Sequence, residues 1–248
     1  MYDPVKRAEE VAAIVSRGVL RKYYRFRPAR FYGGIATADC VGCSLRCIFC
    51  WSWREVIRPD LYGRFYSPEE VAGKLTAIAR EKGFLKVRIS GNEPTISRGH
   101  LLNVLERIPG DILFILETNG ILIGHDETYA LDLARFENLY VRLSLKGTTE
   151  EEFSRLTGAE AVGFVLQLRA LDYLYQAGVR VQPAVMVSFS PPENVRAFRQ
   201  RLGQIAPALA DIEIEELVLY GDVKERLRKA GLRYGIAYEP RYIPPEQV

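Results

Sequence analysis

The chain has 248 residues, 48% of them hydrophobic and 26% charged, with a formal net charge of +3. That balance excludes a disordered chain and predicts a sizeable buried core. The longest apolar runs, such as 111–116 and 183–187, fall far short of the roughly 18–20 residues of a membrane span, and so mild a charge does not by itself imply nucleic acid.

Residues 1–18 alternate charges with apolar residues at helical spacing. They predict an amphipathic helix rather than a secretory leader, and with it a cytoplasmic protein with no membrane partner. The next stretch, "RGVLRKYYRFRPARFY" (17–32), interleaves Arg and Lys with Tyr23, Tyr24, Phe26, Phe31 and Tyr32. It fits a strand that packs its aromatics on the core, or a surface for RNA or an anionic substrate. From Gly33 on, runs of strand length at 33–40, 85–90, 111–118, 139–146, 179–187 and 212–220 alternate with helical patterns. One of those helices carries a full start signal, with Ser67 as N-cap, Pro68 at the first position and Glu70 closing a capping box.

No linker or internal repeat interrupts this order. The expectation is an α/β fold, a partial (β/α)6 TIM-type barrel of parallel strands with an N-terminal helix. It forms one domain over 1–248: a basic, aromatic extension at 1–32, the barrel at 33–220, and a C-terminal helix and tail at 221–248. Chemistry is expected at the C-terminal strand ends. The last segment, "GIAYEPRYIPPEQV", either covers the open edge of the barrel or docks a partner. His100 and His125 are the only histidines and are expected on surface helices.

All four cysteines fall within "CVGCSLRCIFCW", Cys40 to Trp51. Crowded thiols in an intracellular chain indicate metal before disulfides. Cys40, Cys43, Cys47 and Cys50 form two CxxC pairs, but three intervening residues make a closed zinc site awkward, because the knuckles of such sites are usually a dozen or more residues apart. The overlapping pattern Cys43-x3-Cys47-x2-Cys50 instead places three thiolates on one loop after the first strand. Three thiolates can hold three corners of a [4Fe–4S] cluster and leave the fourth iron to a substrate. Cys40 is then a thiol in the core, a substrate-facing or redox group, or a fourth ligand.

This pattern, with the aromatic Phe49 before the last cysteine, resembles the radical S-adenosylmethionine superfamily. "SGNEP" (90–94), "LETNG" (116–120) and "LSLKG" (143–147) at the next three strand ends are similar to segments of its glycyl-radical-enzyme activases, the pyruvate formate-lyase activating enzyme type. The resemblance implies a [4Fe–4S] cluster on Cys43, Cys47 and Cys50, with S-adenosylmethionine on its open iron. Reductive cleavage then yields a 5′-deoxyadenosyl radical that abstracts hydrogen from a substrate. It implies that Gly91, Asn92 and Glu93 meet the amino group of that cofactor and Lys146 its carboxylate, with Phe49, Glu117, Thr118 and Ser144 lining the same mouth. An electron donor of flavodoxin or ferredoxin type is implied as a partner.

Where the activases carry aspartates associated with a cation, this chain has Glu117 and Ser144. Either Arg142 or Lys146 replaces the cation, or Arg142 pairs with Glu117. Gly221 stands where those activases often place a histidine.

No second cysteine cluster orients a small substrate, so a protein or peptide substrate is the leading expectation. A tRNA substrate is the alternative, since Trp51 resembles the tryptophan after the last cysteine of the wybutosine-synthesis enzyme. A non-catalytic, metal-stabilised binding module is the reading from another class, and it leaves the matches at successive strand ends unexplained.

Overall fold

A computed structural model of the chain describes residues 1–244. Helix α1 (Pro4–Val15) starts at Asp3, whose carboxylate accepts from the Val5 and Lys6 amides. It buries Ala8, Val11 and Val15, the i, i+3, i+7 face its sequence predicted. A two-residue strand β1 (Ser16–Arg17) turns into β2 (Leu20–Ala29), which lies antiparallel to β3 (Ile35–Cys40). Helix α2 (Trp53–Ile57) and the short strand β4 (Arg64–Tyr66) follow, β4 pairing with the outer side of β2.

Then the βα rhythm sets in: α3 (Pro68–Lys82), β5 (Lys86–Ser90), α4 (Arg98–Leu105), β6 (Leu113–Thr118), α5 (Ile121–His125), α6 (Thr128–Leu133), β7 (Leu139–Leu145), α7 (Glu150–Thr157), α8 (Val162–Gln176), β8 (Val181–Met186), α9 (Pro192–Ile205) and β9 (Glu213–Glu215). Strands β3, β5, β6, β7, β8 and β9 are parallel and adjacent in that order. They make the six-stranded partial barrel within an α/β fold. The capping box of α3 forms as expected, the Ser67 hydroxyl accepting from the Glu70 amide and the Glu70 carboxylate from the Ser67 amide.

Strand parity divides the residues between two faces. Ala36, Ala38, Val87, Ile89, Phe114, Leu116, Val141 and Leu143 pack under the helices and are buried in one continuous core. Thr37, Asp39, Arg88, Ser90, Glu117, Arg142 and Ser144 turn to the concave face. That face is built of ion pairs, which is why the strands read as broken alternation rather than solid apolar runs.

Three expectations need correction. The sheet begins before residue 33, because β2 is a ten-residue member of it. The sixth run, 212–220, is not one strand. It breaks after Glu215, and β10 (Leu217–Val218) leaves the sheet to pair with β11 (Ala237–Tyr238), the Leu217 amide donating to Ser188 Oγ instead of continuing the ladder. Helix α10 (Val223–Lys229) lies between those strands and packs Val223 and Leu227 against Met186, Phe189, Ile48 and Phe49. The C-terminal segment therefore covers one side of the cysteine loop. Residues 245–248 of its proline-rich end lie outside the described residues.

His100 is the third correction. It is buried, with Nδ1 2.7 Å from the Val19 carbonyl and Nε2 3.0 Å from the Tyr23 hydroxyl. The neutral ring satisfies both, donating from Nδ1 and accepting at Nε2. Burial pushes its pKa down to about 4, while the unfolded chain takes up the proton near the ordinary value of about 6.5. The stability that the neutral ring contributes is complete above that value and is lost as pH falls from about 6.5 towards 4. At pH 5 the loss is about 2 kcal/mol. In urea unfolding at pH 7.5 and pH 5, His100→Gln, which cannot titrate, should lose less between the two than the wild type does. An equal loss in both proteins would rule out this assignment.

Among the described residues no helix is long and apolar enough to cross a membrane.

Candidate active site

Residues 41–52 have no regular secondary structure, and contacts from separate parts of the chain hold them. The Val41 amide donates to the Lys22 carbonyl, the Glu93 amide to the Gly42 carbonyl, and the Ile48 amide to the Leu156 carbonyl. Arg226 donates to the Cys50 carbonyl. Gly42 has φ 86°, and a Cβ there would meet Val11 Cγ1 at 2.5 Å, so the loop can press onto α1 only with glycine at its start.

This tethered loop rises from the C-terminal end of β3 and carries Cys43, Cys47 and Cys50. Cys43 Sγ accepts from the Leu45 amide at 3.3 Å and lies 3.5 Å from Asn119 Nδ2. Burial pushes all three thiols up, Cys47 to about 12, while the Lys146 ammonium pulls Cys47 and Cys50 back down.

Cys40 is different. It shares the parity of Ala36 and Ala38, is fully buried in the core, and its thiol is pushed up to about 11 by burial. It is the core thiol of the three possibilities. Among the described residues no three His, Cys, Asp or Glu side chains are gathered closely enough as they stand to hold one metal ion; what sets Cys40 apart from the three loop cysteines is its place on the core face of β3.

The strand-end motifs meet around this loop. Gly91 has φ 94°, and a Cβ there would lie 2.9 Å from the Asp39 Cα and Cβ. The turn therefore runs flush against β3. Asn92 donates to the Cys40 carbonyl (3.0 Å) and to Ser52 Oγ (2.9 Å), binding the start of the loop to its end.

Glu93 does not present its carboxylate to the mouth. It is 1% exposed and lies on the helix side with Thr118, which shares the parity of Leu116. It accepts from the Thr95 amide and hydroxyl, the Thr118 hydroxyl and the Asn119 amide. Phe49 turns from the loop to stack near Phe189, ring centroids 5.5 Å apart.

On the concave face Glu117 accepts from Arg88 (2.7 Å), Ser90 (2.5 Å) and Tyr32 (2.8 Å). Burial would raise its carboxyl, but the Arg88 and Arg142 guanidiniums outweigh that and hold it down at about 2. Arg142 does not pair with Glu117. It pairs with Glu213 (2.6 Å) and Glu215 (2.5 Å) on β9. Ser144 donates to Glu215, and the Lys146 ammonium donates to Ser144 Oγ at 2.6 Å, 4.0 Å from Glu215.

Some residues that shape the mouth carried no sequence signal. Gln167, on α8, is fully buried and donates to the Asn119 and Ser144 carbonyls, tying the ends of β6 and β7 together. Asp39 receives Arg25 (2.6 Å) and Arg27 (3.0 Å) on the same oxygen, while its Oδ1 is buried without a partner. A register shift at Tyr24 turns Arg25 towards the cysteine loop, the usual effect of a bulge beside a site. Its guanidinium lies 5.6 Å from the Trp51 ring, and Trp51 is 45% exposed.

The chain is 33% identical over 176 residues to a probable GTP 3′,8-cyclase of Methanococcus vannielii, covering 70% of this chain and 57% of that protein. A probable GTP 3′,8-cyclase of Thermococcus kodakarensis is 30% identical, covering 70% and 54%. The chain thus spans about half the length of these curated relatives.

Among solved structures, Streptococcus suis SuiB bound to its precursor peptide SuiA superposes with a TM-score of 0.57 at 17% identity, over 83% of this chain and 48% of that one. TYW1 with a lysine-pyruvate adduct gives 0.53 at 18% identity, over 79% and 71%. At that identity these two bear on the fold alone.

The sequence profile of the Radical SAM superfamily matches residues 39–201, from the end of β3 into α9. The cofactors of that family are a [4Fe–4S] cluster and S-adenosylmethionine. The donor set fits them: Cys43, Cys47 and Cys50, one buried and two half-buried, stand on one loop at the spacing that offers three thiolates to an iron–sulfur cluster. Spanning most of the sheet and the whole cysteine loop, the match places the chain in the Radical SAM superfamily.

Proposed function

We propose that the chain is a radical enzyme in which Cys43, Cys47 and Cys50 hold the cluster. When bound, cluster and S-adenosylmethionine supply a 5′-deoxyadenosyl radical that abstracts hydrogen from the substrate. The residues around the loop then have distinct roles. Asn92 closes the loop on itself, and Asn119 and the Leu45 amide donate towards Cys43. Lys146 offers its ammonium at the mouth, where it can meet the carboxylate of the cofactor. Phe49 and Phe189 screen the loop from water on the C-terminal side. A cytoplasmic setting with a flavodoxin- or ferredoxin-type electron donor belongs to the same reading.

For the substrate we infer a small, phosphate- or carboxylate-bearing molecule, nucleotide-like, rather than the protein or tRNA expected from the sequence. The observation that carries this is the pair Arg25 and Arg27. Both spend Nε on one oxygen of Asp39, and among the described residues their remaining N–H groups have no acceptor. Two guanidiniums on one carboxylate leave a net positive charge beside the cysteine loop, with donor forks suited to phosphate. The curated relatives support the same choice, being named for a reaction of GTP. No comparison favours the activase branch.

Titration calorimetry tests the inference. GTP and inorganic pyrophosphate should bind, and Arg25→Ala or Arg27→Ala should each weaken them about tenfold, roughly 1.4 kcal/mol, with S-adenosylmethionine binding unchanged. Unaltered affinity in both variants would overturn it, as would retention of RNA with no binding of either small anion.

A further inference from the structure

Arg226 lies on α10, beyond the residues that the family profile covers. Its Nη2 donates to the Cys50 carbonyl at 2.7 Å, across 176 residues of sequence. Its guanidinium sits 4.7 Å from the centre of the Trp53 ring, and its Nε lies 3.2 Å from Asp222 Oδ1. The side chain is 10% exposed, and Nε and Nη1 make no hydrogen bond. A buried cation with unspent donors is costly unless a partner meets it. Asp222 meets it on the Nε side as a surface ion pair, and Nη2 reaches past that pair to the end of the cysteine loop.

We propose that Arg226 is a positioning residue that latches α10 onto the cysteine loop and sets the reduction potential and retention of the cluster held there. The latch has two parts. Mechanically, the loop lacks secondary structure, and Arg226 holds its last cysteine from the C-terminal side while Val223 and Leu227 press α10 onto Ile48 and Phe49. Electrostatically, a guanidinium stays charged at any working pH. A fixed positive charge beside a cluster favours the state with the extra electron, and hydrogen-bond donors near its sulfurs act in the same direction. Stacking on Trp53 holds the guanidinium in place, which a flexible ammonium would do less well.

The electrostatic part rests on Cys50 being a cluster ligand; the mechanical part does not. The experiment therefore has two arms, using Arg226→Gln, which keeps a donor for the Cys50 carbonyl without the charge, and Arg226→Met, which keeps neither. In cluster-loaded protein, a redox titration followed by electron paramagnetic resonance should show a more negative midpoint in both variants. Cluster release to a chelator should be about tenfold faster in Arg226→Met. In cluster-free protein, hydrogen exchange at residues 48–53 should accelerate in Arg226→Met and stay near wild type in Arg226→Gln.

A wild-type protein that forms no cluster would count against the cysteine assignment, and the exchange arm would still test the latch. Wild-type midpoints in both variants would overturn the electrostatic part. Unchanged exchange in Arg226→Met would overturn the mechanical one.

Discussion

Replacing Cys43, Cys47 or Cys50 by serine should lower reductive cleavage of S-adenosylmethionine by at least about 100-fold, whereas Cys40→Ala should leave it close to wild type. The difference follows from strand parity. Cys40 ends β3 on the face of Ala36 and Ala38 and is buried in the core, so its thiol and the mouth lie on opposite sides of the sheet. Removing one buried sulfur there leaves a small cavity worth about 1 kcal/mol. The other three thiols lie on the loop beyond the strand, where Leu45, Asn119 and Lys146 bring positive partial or full charge to them. The check is anaerobic reconstitution with iron and sulfide, reduction with dithionite, and quantification of iron content and 5′-deoxyadenosine in the four variants. Loss of the cluster in Cys40→Ala, or cleavage surviving any of the three serine variants, would break the assignment.

What the sequence made legible is what depends on local pattern. The cysteine spacing, the capping box at Ser67 and the six βα units are each written within a few residues of themselves. What it hid depends on which distant groups arrive first. Glu117 and Arg142 are in register on neighbouring strands, so a pair between them was a fair expectation. Glu117 is instead taken by Arg88, Ser90 and Tyr32 from the other side, and Arg142 finds two carboxylates on β9, Glu213 and Glu215.

Parity tells which face a side chain takes, but not which of two neighbours it leans towards. His100 was hidden for a related reason. A histidine beside "LL" reads as the polar edge of a helix until Tyr23 from β2 and the Val19 carbonyl from the β1–β2 turn arrive to bury it. The strand reading of 17–32 is borne out in β2, whose bulge puts Tyr23 and Phe26 on the core face and Arg25 and Arg27 on the other. That pattern reads as interleaved basic and aromatic residues.

Glu93→Ala should destabilise the fold by about 2–6 kcal/mol, and this separates a strut from a cofactor contact. All four partners of the carboxylate are donors: two backbone amides and two hydroxyls. Such a set suits an ionised carboxylate, which only accepts. Burial raises its pKa, and these hydrogen bonds pull in the opposite direction. Removing it orphans the Thr95 and Asn119 amides where water does not reach, each costing about 1–3 kcal/mol.

Glu93→Gln keeps one acceptor but turns an NH2 group against either the Asn119 amide or the Thr95 and Thr118 groups, so it should fall between wild type and Ala. For a chain of this size the Ala variant should melt roughly 10 °C lower. Because Asn119 is fixed by Glu93 and lies beside Cys43 and Ser44, the cluster should also be lost faster as the strut weakens. Thermal unfolding of the cluster-free proteins decides the matter. If Glu93→Gln unfolds like wild type yet loses affinity for S-adenosylmethionine, the carboxylate acts on the cofactor and the strut is wrong. If the melting temperatures fall in the expected order before any cofactor is added, the glutamate of the "GNEP" turn holds the ends of β5 and β6 together, and the mouth depends on it through Asn119.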